Sequence, residues 1–289
     1  MLKRKGFTLI ELLVVISIIA LLMAIMMPAL GKAKDQAKVV LCGSNQHQIL
    51  VALSTYTADN SNKMPPSVQG VGTYPDNFIW NNPPIRLNYE VKAPGRNGEY
   101  LGANGINGGS VGRQMGAYLS DPTVWQCKFA EKPYLEYYQE EYLNGFAVDL
   151  RSQGIGENAW PYLNSSYFLL WNYKGYERFD YNDPTTGDSV SKSKVEKIMI
   201  ADFMMWNNGV WLGNKWGCSH RMQGSSLEGD HASGYFWKMT PSDNGASIPR
   251  VKTMNAGYED GSVLRYDEQS MVKATLSGWN SAVYFPVGN

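Results

Sequence analysis

The chain holds 289 residues with 26 basic and 26 acidic side chains, and only 18% of its residues are charged. That balance excludes the basic surface of a nucleic-acid-binding protein, and no basic patch stands out after Lys38. The length suits one membrane helix and one sizeable globular domain, and the abundant Trp, Tyr, Asn, Gly and Ser suit an exported, uncharged polar surface rich in turns.

Lys3, Arg4 and Lys5 precede Gly6, and an apolar run of 24 residues follows from Phe7 to Leu30. At about 1.5 Å per helical residue this run spans the roughly 30 Å hydrocarbon core of a bilayer. Its length sets it apart from a cleaved secretory signal, as does the position of Gly6 ahead of the run. The basic cluster holds the N-terminus in the cytoplasm and sends the bulk of the chain across the inner membrane. From Leu12 to Met27 there is no charge and only Ser17 is polar, yet Glu11 stands near the start of the run. An acid in such a helix costs about 2.5–3.5 kcal/mol on insertion and calls for a partner.

Past Pro28 and Gly31 the pattern turns amphipathic. Ala33, Ala37, Val40, Leu41, Ile49, Ala52, Leu53 and Tyr56 form an apolar face, with Lys32, Lys34, Asp35, Lys38 and Gln46 largely elsewhere. Pro28 is the expected helix break. Asp59-Asn60-Ser61-Asn62 and Pro65-Pro66 then end the helix. The expected organisation is a leader at 1–6, a transmembrane helix at 7–30, its amphipathic continuation at 31–60 and an extracytoplasmic globular head at 61–289. From Met64 to about Ser120, Pro, Gly and Asn predict irregular structure, with short strands or a short helix near Gly112–Leu119. Val124–Cys127 predicts a short buried strand, and Ser165–Tyr173 and Lys197–Met204 are β-rich. Val251–Glu259 and Ser262–Tyr266 predict a hairpin around a two-residue Asp260-Gly261 turn. The expected fold is α+β, a long N-terminal helix packed on an antiparallel sheet with long loops.

The stretch Lys5-Gly6-Phe7-Thr8-Leu9-Ile10-Glu11-Leu12-Leu13 resembles the class III leader of type IV prepilins and type II secretion pseudopilins. The resemblance implies cleavage by a prepilin peptidase after Gly6 and N-methylation of Phe7. It implies that Glu11 pairs with the free amine of a neighbouring subunit in a filament. It also implies a pilin-like fold, a structural rather than enzymatic role, and a single-pass inner-membrane location with the head in the periplasm or on a surface filament. The partners it implies are prepilin peptidase, other pilin or pseudopilin subunits, an inner-membrane assembly platform and membrane lipid, with no nucleic acid. Further along, Cys42 to Gln48, Tyr56 to Asn60, Trp125-Gln126-Cys127, Ser166-Tyr167, Met199 to Asp202 and Asn255 to Val263 resemble a pseudopilin-like family best known from planctomycetes. That family ends in a His, nine residues, then Asp-Gly. Here Arg250 stands in place of the His, and the nearest histidine, His231, lies 29 residues before Asp260.

Several constellations carry other readings. Of the three cysteines, Cys42 and Cys127 are the preferred disulfide, tying the end of the helix to the head; three buried thiols are the alternative. Asp180, Asp183 and Asp188 form an acidic loop that suits calcium, the one cofactor expected; a solvated turn is the alternative. Cys218, His220, Asp230 and His231 are close in sequence and could ligate zinc, or line a polar loop. Asp202 has no nucleophile or oxyanion signature beside it and reads as a structural hydrogen bond to a turn. The aromatics favour a core over a carbohydrate-binding face. A second functional reading keeps that face: a membrane-anchored protein using the leader for export alone and binding polysaccharide or an envelope component.

Overall fold

The computed structural model describes residues 8–65, 86–88, 90–91, 111–129, 139–144, 146–147, 163–171, 179–182, 188–189, 191, 197–208, 214–220, 226–230, 236–239, 253–276 and 281–286. Two compact units divide the chain, Met1–Leu41 and Cys42–Asn289. One helix, α1, runs from Leu9 to Asp59. Pro28 lies inside it instead of breaking it: a proline has no N–H, so the ladder lacks one rung there, but the helix continues on both sides. The apolar side chains from Leu9 to Leu30 are exposed along their whole length, as a segment meant for lipid would be. The helix ends where Ser61 and Asn62 turn left-handed, at φ 56° and 59°. Asn62 N–H then reaches back to the Thr57 carbonyl at 2.9 Å, the six-to-one bond of a Schellman ending.

Within the second unit, α1 buries Cys42, Asn45, Gln46, Ile49, Leu50, Ala52, Leu53 and Tyr56. The expected face needs correction: Ala33, Ala37, Val40 and Leu41 are exposed, and Gln46 is fully buried. The stripe follows the three- and four-residue helical step from Cys42, and it admits Asn45 and Gln46 because both find hydrogen-bond partners there.

The helix packs on a four-stranded antiparallel sheet. Its strands lie in the order Val263–Tyr266, Met254–Tyr258, Ile198–Asp202, Tyr167–Leu169. The crossing is close because Gly257 has no side chain: a Cβ there would meet Leu50 Cδ1 at 2.7 Å and Ile200 Cγ2 at 2.8 Å. The hairpin joining the first two strands has a three-residue loop, Glu259-Asp260-Gly261, not the expected two. Tyr258 N–H still bonds to the Ser262 carbonyl at 2.9 Å, and Gly261 at φ 83° supplies the bulge that closes it.

A seven-stranded antiparallel sheet takes most of the remaining strands of the described head. Its order is Ser226–Asp230, Phe236–Met239, Asn214–Cys218, Met204–Asn208, Ser281–Pro286, Met271–Leu276, Phe179–Asn182. Phe203 is the corner at which the chain passes from one sheet to the other, and its N–H and carbonyl both bond to Ser219. Phe203 also contacts Phe168, whose ring reaches Phe285 at 5.2 Å, so one aromatic cluster joins the two sheets. Two small pairs complete the sheets, one of them parallel, Glu90–Val91 with Phe146–Ala147. The expected strand at Val124–Cys127 is a 3-10 turn, Pro122–Trp125: Asp121 caps it by accepting the Thr123 N–H at 2.8 Å, and Pro122 fits the first position.

Candidate functional site

Thr8 and Glu11 form a reciprocal cap at the start of α1. Thr8 N–H donates to Glu11 Oε2 at 2.8 Å, the Thr8 hydroxyl donates to the same oxygen at 2.7 Å, and Glu11 N–H donates to Thr8 Oγ1 at 3.3 Å. This is a capping box, and it satisfies two backbone donors that a helix otherwise leaves bare. Its signature, Thr-x-x-Glu, is visible in the sequence.

A second constellation forms where α1 crosses the strand Met254–Tyr258. Asp202, at the end of its strand, is fully buried. Its Oδ2 accepts the Asn255 backbone N–H at 2.5 Å and the Asn255 side-chain amide at 3.3 Å. Its Oδ1 accepts from Gln46 Nε2 at 3.1 Å, and that nitrogen also reaches the Asn255 carbonyl at 3.3 Å. One carboxylate thus pins the helix to the sheet through strand partners, where the sequence suggested a bond to a turn. His220 lies against it, with Nε2 at 3.0 Å from Asp202 Oδ2 and Nδ1 at 2.7 Å from the Thr253 carbonyl. Burial alone would push His220 down, but the Asp202 charge and bond and the neighbouring Cys42 outweigh it and raise its pKa to about 10. The imidazole is a buried cation balanced by a buried anion.

Two thiols border this pair. Cys42 and Cys127 have their sulfurs 3.1 Å apart. Lys128 N–H points at Cys42 Sγ at 3.2 Å, and Cys127 Sγ is 3.2 Å from the Ser219 carbonyl. With His220 Nε2 or Nδ1 these sulfurs make a group whose atoms all lie within 4.8 Å of one another. The Cys127 thiol and then His220 bring Cys42 down to about 6 against the effect of burial; burial first, then Cys42, pushes Cys127 well up.

Residues 1–27 match the family model described as a prokaryotic N-terminal methylation motif. The type II secretion system core protein G of Pseudomonas aeruginosa is 32% identical over 133 aligned residues, taking in 37% of this chain and 89% of that protein. The chain belongs to the pseudopilin family of prepilin-like proteins. No solved structure matches it.

In this pseudopilin the other expected site residues are scattered. Gly6, Phe7, Asp183, His231 and Arg250 lie outside the described residues. Asp180 sits on a strand, paired with Thr275, and Asp188 is exposed just ahead of a one-residue bridge. Of the zinc grouping of Cys218, His220, Asp230 and His231, His231 lies outside the described residues, and Cys218 and His220 face different neighbours. Cys218 ends a strand with Met254 Sδ 4.0 Å away, and His220 has turned instead toward Cys42 and Cys127, which only the tertiary fold brings near. Among the described aromatics, Trp125 and Trp171 are fully buried 6.1 Å apart, with Trp125 Nε1 donating to Tyr142 Oη at 2.9 Å and Trp171 Nε1 to the Pro65 carbonyl at 3.1 Å. They pack the core. Gln46, Asn255 and Gly257 lie in stretches that carry the family resemblance, but an amide or a glycine in sequence carries no sign of the crossing it serves.

Proposed function

We propose that the protein is a structural subunit of a type IV pilus-like or type II secretion pseudopilus filament, with its N-terminus cytoplasmic before processing and its head extracytoplasmic. Prepilin peptidase cuts after Gly6 and methylates Phe7. The matured helix then packs beside its neighbours in lipid, and an inner-membrane assembly platform draws subunits into the filament. The observation that carries this reading is the unbroken exposed apolar surface of α1 from Leu9 to Leu30, beginning at a methylation-motif leader. A helical segment with no buried face of its own gains van der Waals contact by packing against copies of itself.

In that filament Glu11 is read as the partner of the Phe7 amine of the next subunit. Its capping bonds to Thr8 use Oε2 and hold the carboxylate at the helix start, so the same group both closes its own helix and presents charge to a neighbour. Intact-mass and N-terminal peptide mass spectrometry on protein from its native membrane tests the reading. A chain beginning at N-methyl-Phe7 supports it. A chain still beginning at Met1, or one beginning well past Leu30, refutes it.

A further inference from the structure

The buried thiols of Cys42 and Cys127 are 85 positions apart in sequence, yet their sulfurs are 3.1 Å apart. Cys42 is on α1, and Cys127 follows the 3-10 turn Pro122–Trp125. That turn is anchored from two sides: Asp121 caps its start, and the carbonyl of Trp125 takes the Ser166 N–H at 2.9 Å and the Ser165 hydroxyl at 2.9 Å. Asn45, one helical turn past Cys42, donates to the Gln126 carbonyl at 3.3 Å. The backbone on both sides of the pair is therefore held by bonds that do not involve sulfur, and the thiols meet because the fold places them together.

We propose that Cys42 and Cys127 are a built dithiol site that closes to a disulfide when the head folds outside the cytoplasm, and that Cys218 stays a free thiol. Two chemistries compete for such a pair. A tetrahedral zinc site with bonds of ~2.3 Å would hold two thiolate sulfurs ~3.8 Å apart, wider than is found here. His220 Nδ1 is taken by the Thr253 carbonyl at 2.7 Å, and its Nε2, 3.0 Å from Asp202 Oδ2 but outside hydrogen-bond alignment, is the nitrogen for which a zinc ion would have to compete with the carboxylate. A neighbouring carboxylate favours a proton on that nitrogen, and a protonated imidazole nitrogen is no metal ligand. Disulfide formation needs neither group to move away.

The geometry also assigns the two sulfurs their parts. Each sulfur receives a backbone N–H, Cys42 Sγ from Lys128 at 3.2 Å and Cys127 Sγ from Phe129 at 3.4 Å, but only Cys127 Sγ also faces a carbonyl, that of Ser219, which accepts its S–H and leaves Cys42 as the thiolate beside His220. The Cys42 thiolate attacks one sulfur of a disulfide donor RSSR, a mixed disulfide forms and RS⁻ leaves. That RS⁻ takes the Cys127 proton. The Cys127 thiolate then attacks the Cys42 sulfur and expels the second RS⁻. The two cysteine sulfurs are oxidised by two electrons, and the donor is reduced to two thiols. Because both cysteines are buried, the exchange belongs to folding, and the finished bond is shielded from reductant. It would staple the root of the head to α1 at the residue where the second unit begins.

The proposal rests on the export reading for its oxidant. Full-length protein is extracted in detergent with N-ethylmaleimide present, denatured, and weighed before and after reduction and relabelling. The expected count is one adduct before reduction and three in all after it, with the peptides carrying Cys42 and Cys127 joined in the unreduced digest. The Cys218→Ser variant, which leaves the pair alone, should give none and then two. Three adducts before reduction overturn the proposal, as does a bond that includes Cys218 or stoichiometric zinc in the undenatured protein. Reduced protein placed in a glutathione disulfide buffer should close the same bond; failure to close it there also overturns the proposal. A joined pair in a chain whose N-terminus is uncut leaves the disulfide standing and removes only the filament reading.

Discussion

Asp202→Asn removes one oxygen's charge and no volume, and the structure says what should follow. The carboxylate loses its charge-assisted bond from the Asn255 N–H at 2.5 Å, and the replacing amide must turn either its oxygen to that donor or its NH₂ toward it. A hydrogen bond to a charged group contributes about 1.5–3 kcal/mol net. His220 loses its counter-ion at 3.0 Å, and breaking a buried pair on one side costs about 3–5 kcal/mol. The two effects overlap, so the expected loss is about 3–5 kcal/mol. With a urea m-value near the top of the usual ~1–3 kcal/mol per M, the midpoint should fall by about 1–2 M. Tryptophan fluorescence of the detergent-solubilised chain reads this cleanly, because the first tryptophan is Trp80 and every one lies past α1. The double variant with His220→Gln should lose much less than the two single losses combined. A loss under about 1 kcal/mol in Asp202→Asn, or strict additivity with His220→Gln, would refute the account of a coupled buried pair.

The same pair sets a pH dependence. The folded pKa of His220 is raised to about 10 from 6.5, so its contribution is complete below about pH 6.5 and fades as pH rises toward 10; urea midpoints of the wild type should fall across that window. In Asp202→Asn burial governs the imidazole, and the slope should reverse near neutral pH, with stability rising as the proton leaves. Gly257→Ala drives a methyl against Leu50 and Ile200 and should destabilise the head by about 1–3 kcal/mol in the same titration, with Gly257→Val worse. Tyr142→Phe strands the Trp125 indole N–H in the core and should cost about 1–3 kcal/mol, with a visible change in near-ultraviolet circular dichroism. Thr8→Ala and Glu11→Ala both open the capping box. If Glu11 also serves a neighbour, sheared-filament yields should drop far more for Glu11→Ala than for Thr8→Ala; equal yields would leave Glu11 as a cap alone.

The leader, the membrane-length helix, the α+β class and the hairpin near Asp260 were legible in the sequence because each is local. Hydrophobic run length, a Gly-Phe junction, strand alternation and an Asp-Gly pair all act within a few residues. Even there the local signal was incomplete. Val124–Cys127 has the composition of a strand, but Asp121 and Pro122 start a turn, and the three-residue hairpin loop depends on the register between its strands. What the sequence by itself determined is the leader motif, an apolar run of membrane length and the α+β class. Only the tertiary structure decided which face of α1 is buried past Cys42, that a glutamine belongs to that face, and that Cys42, Cys127, Asp202, His220 and Asn255 meet at one crossing. Burying a polar group is unfavourable unless a partner waits for it, and those partners come from strands and turns up to 209 positions away.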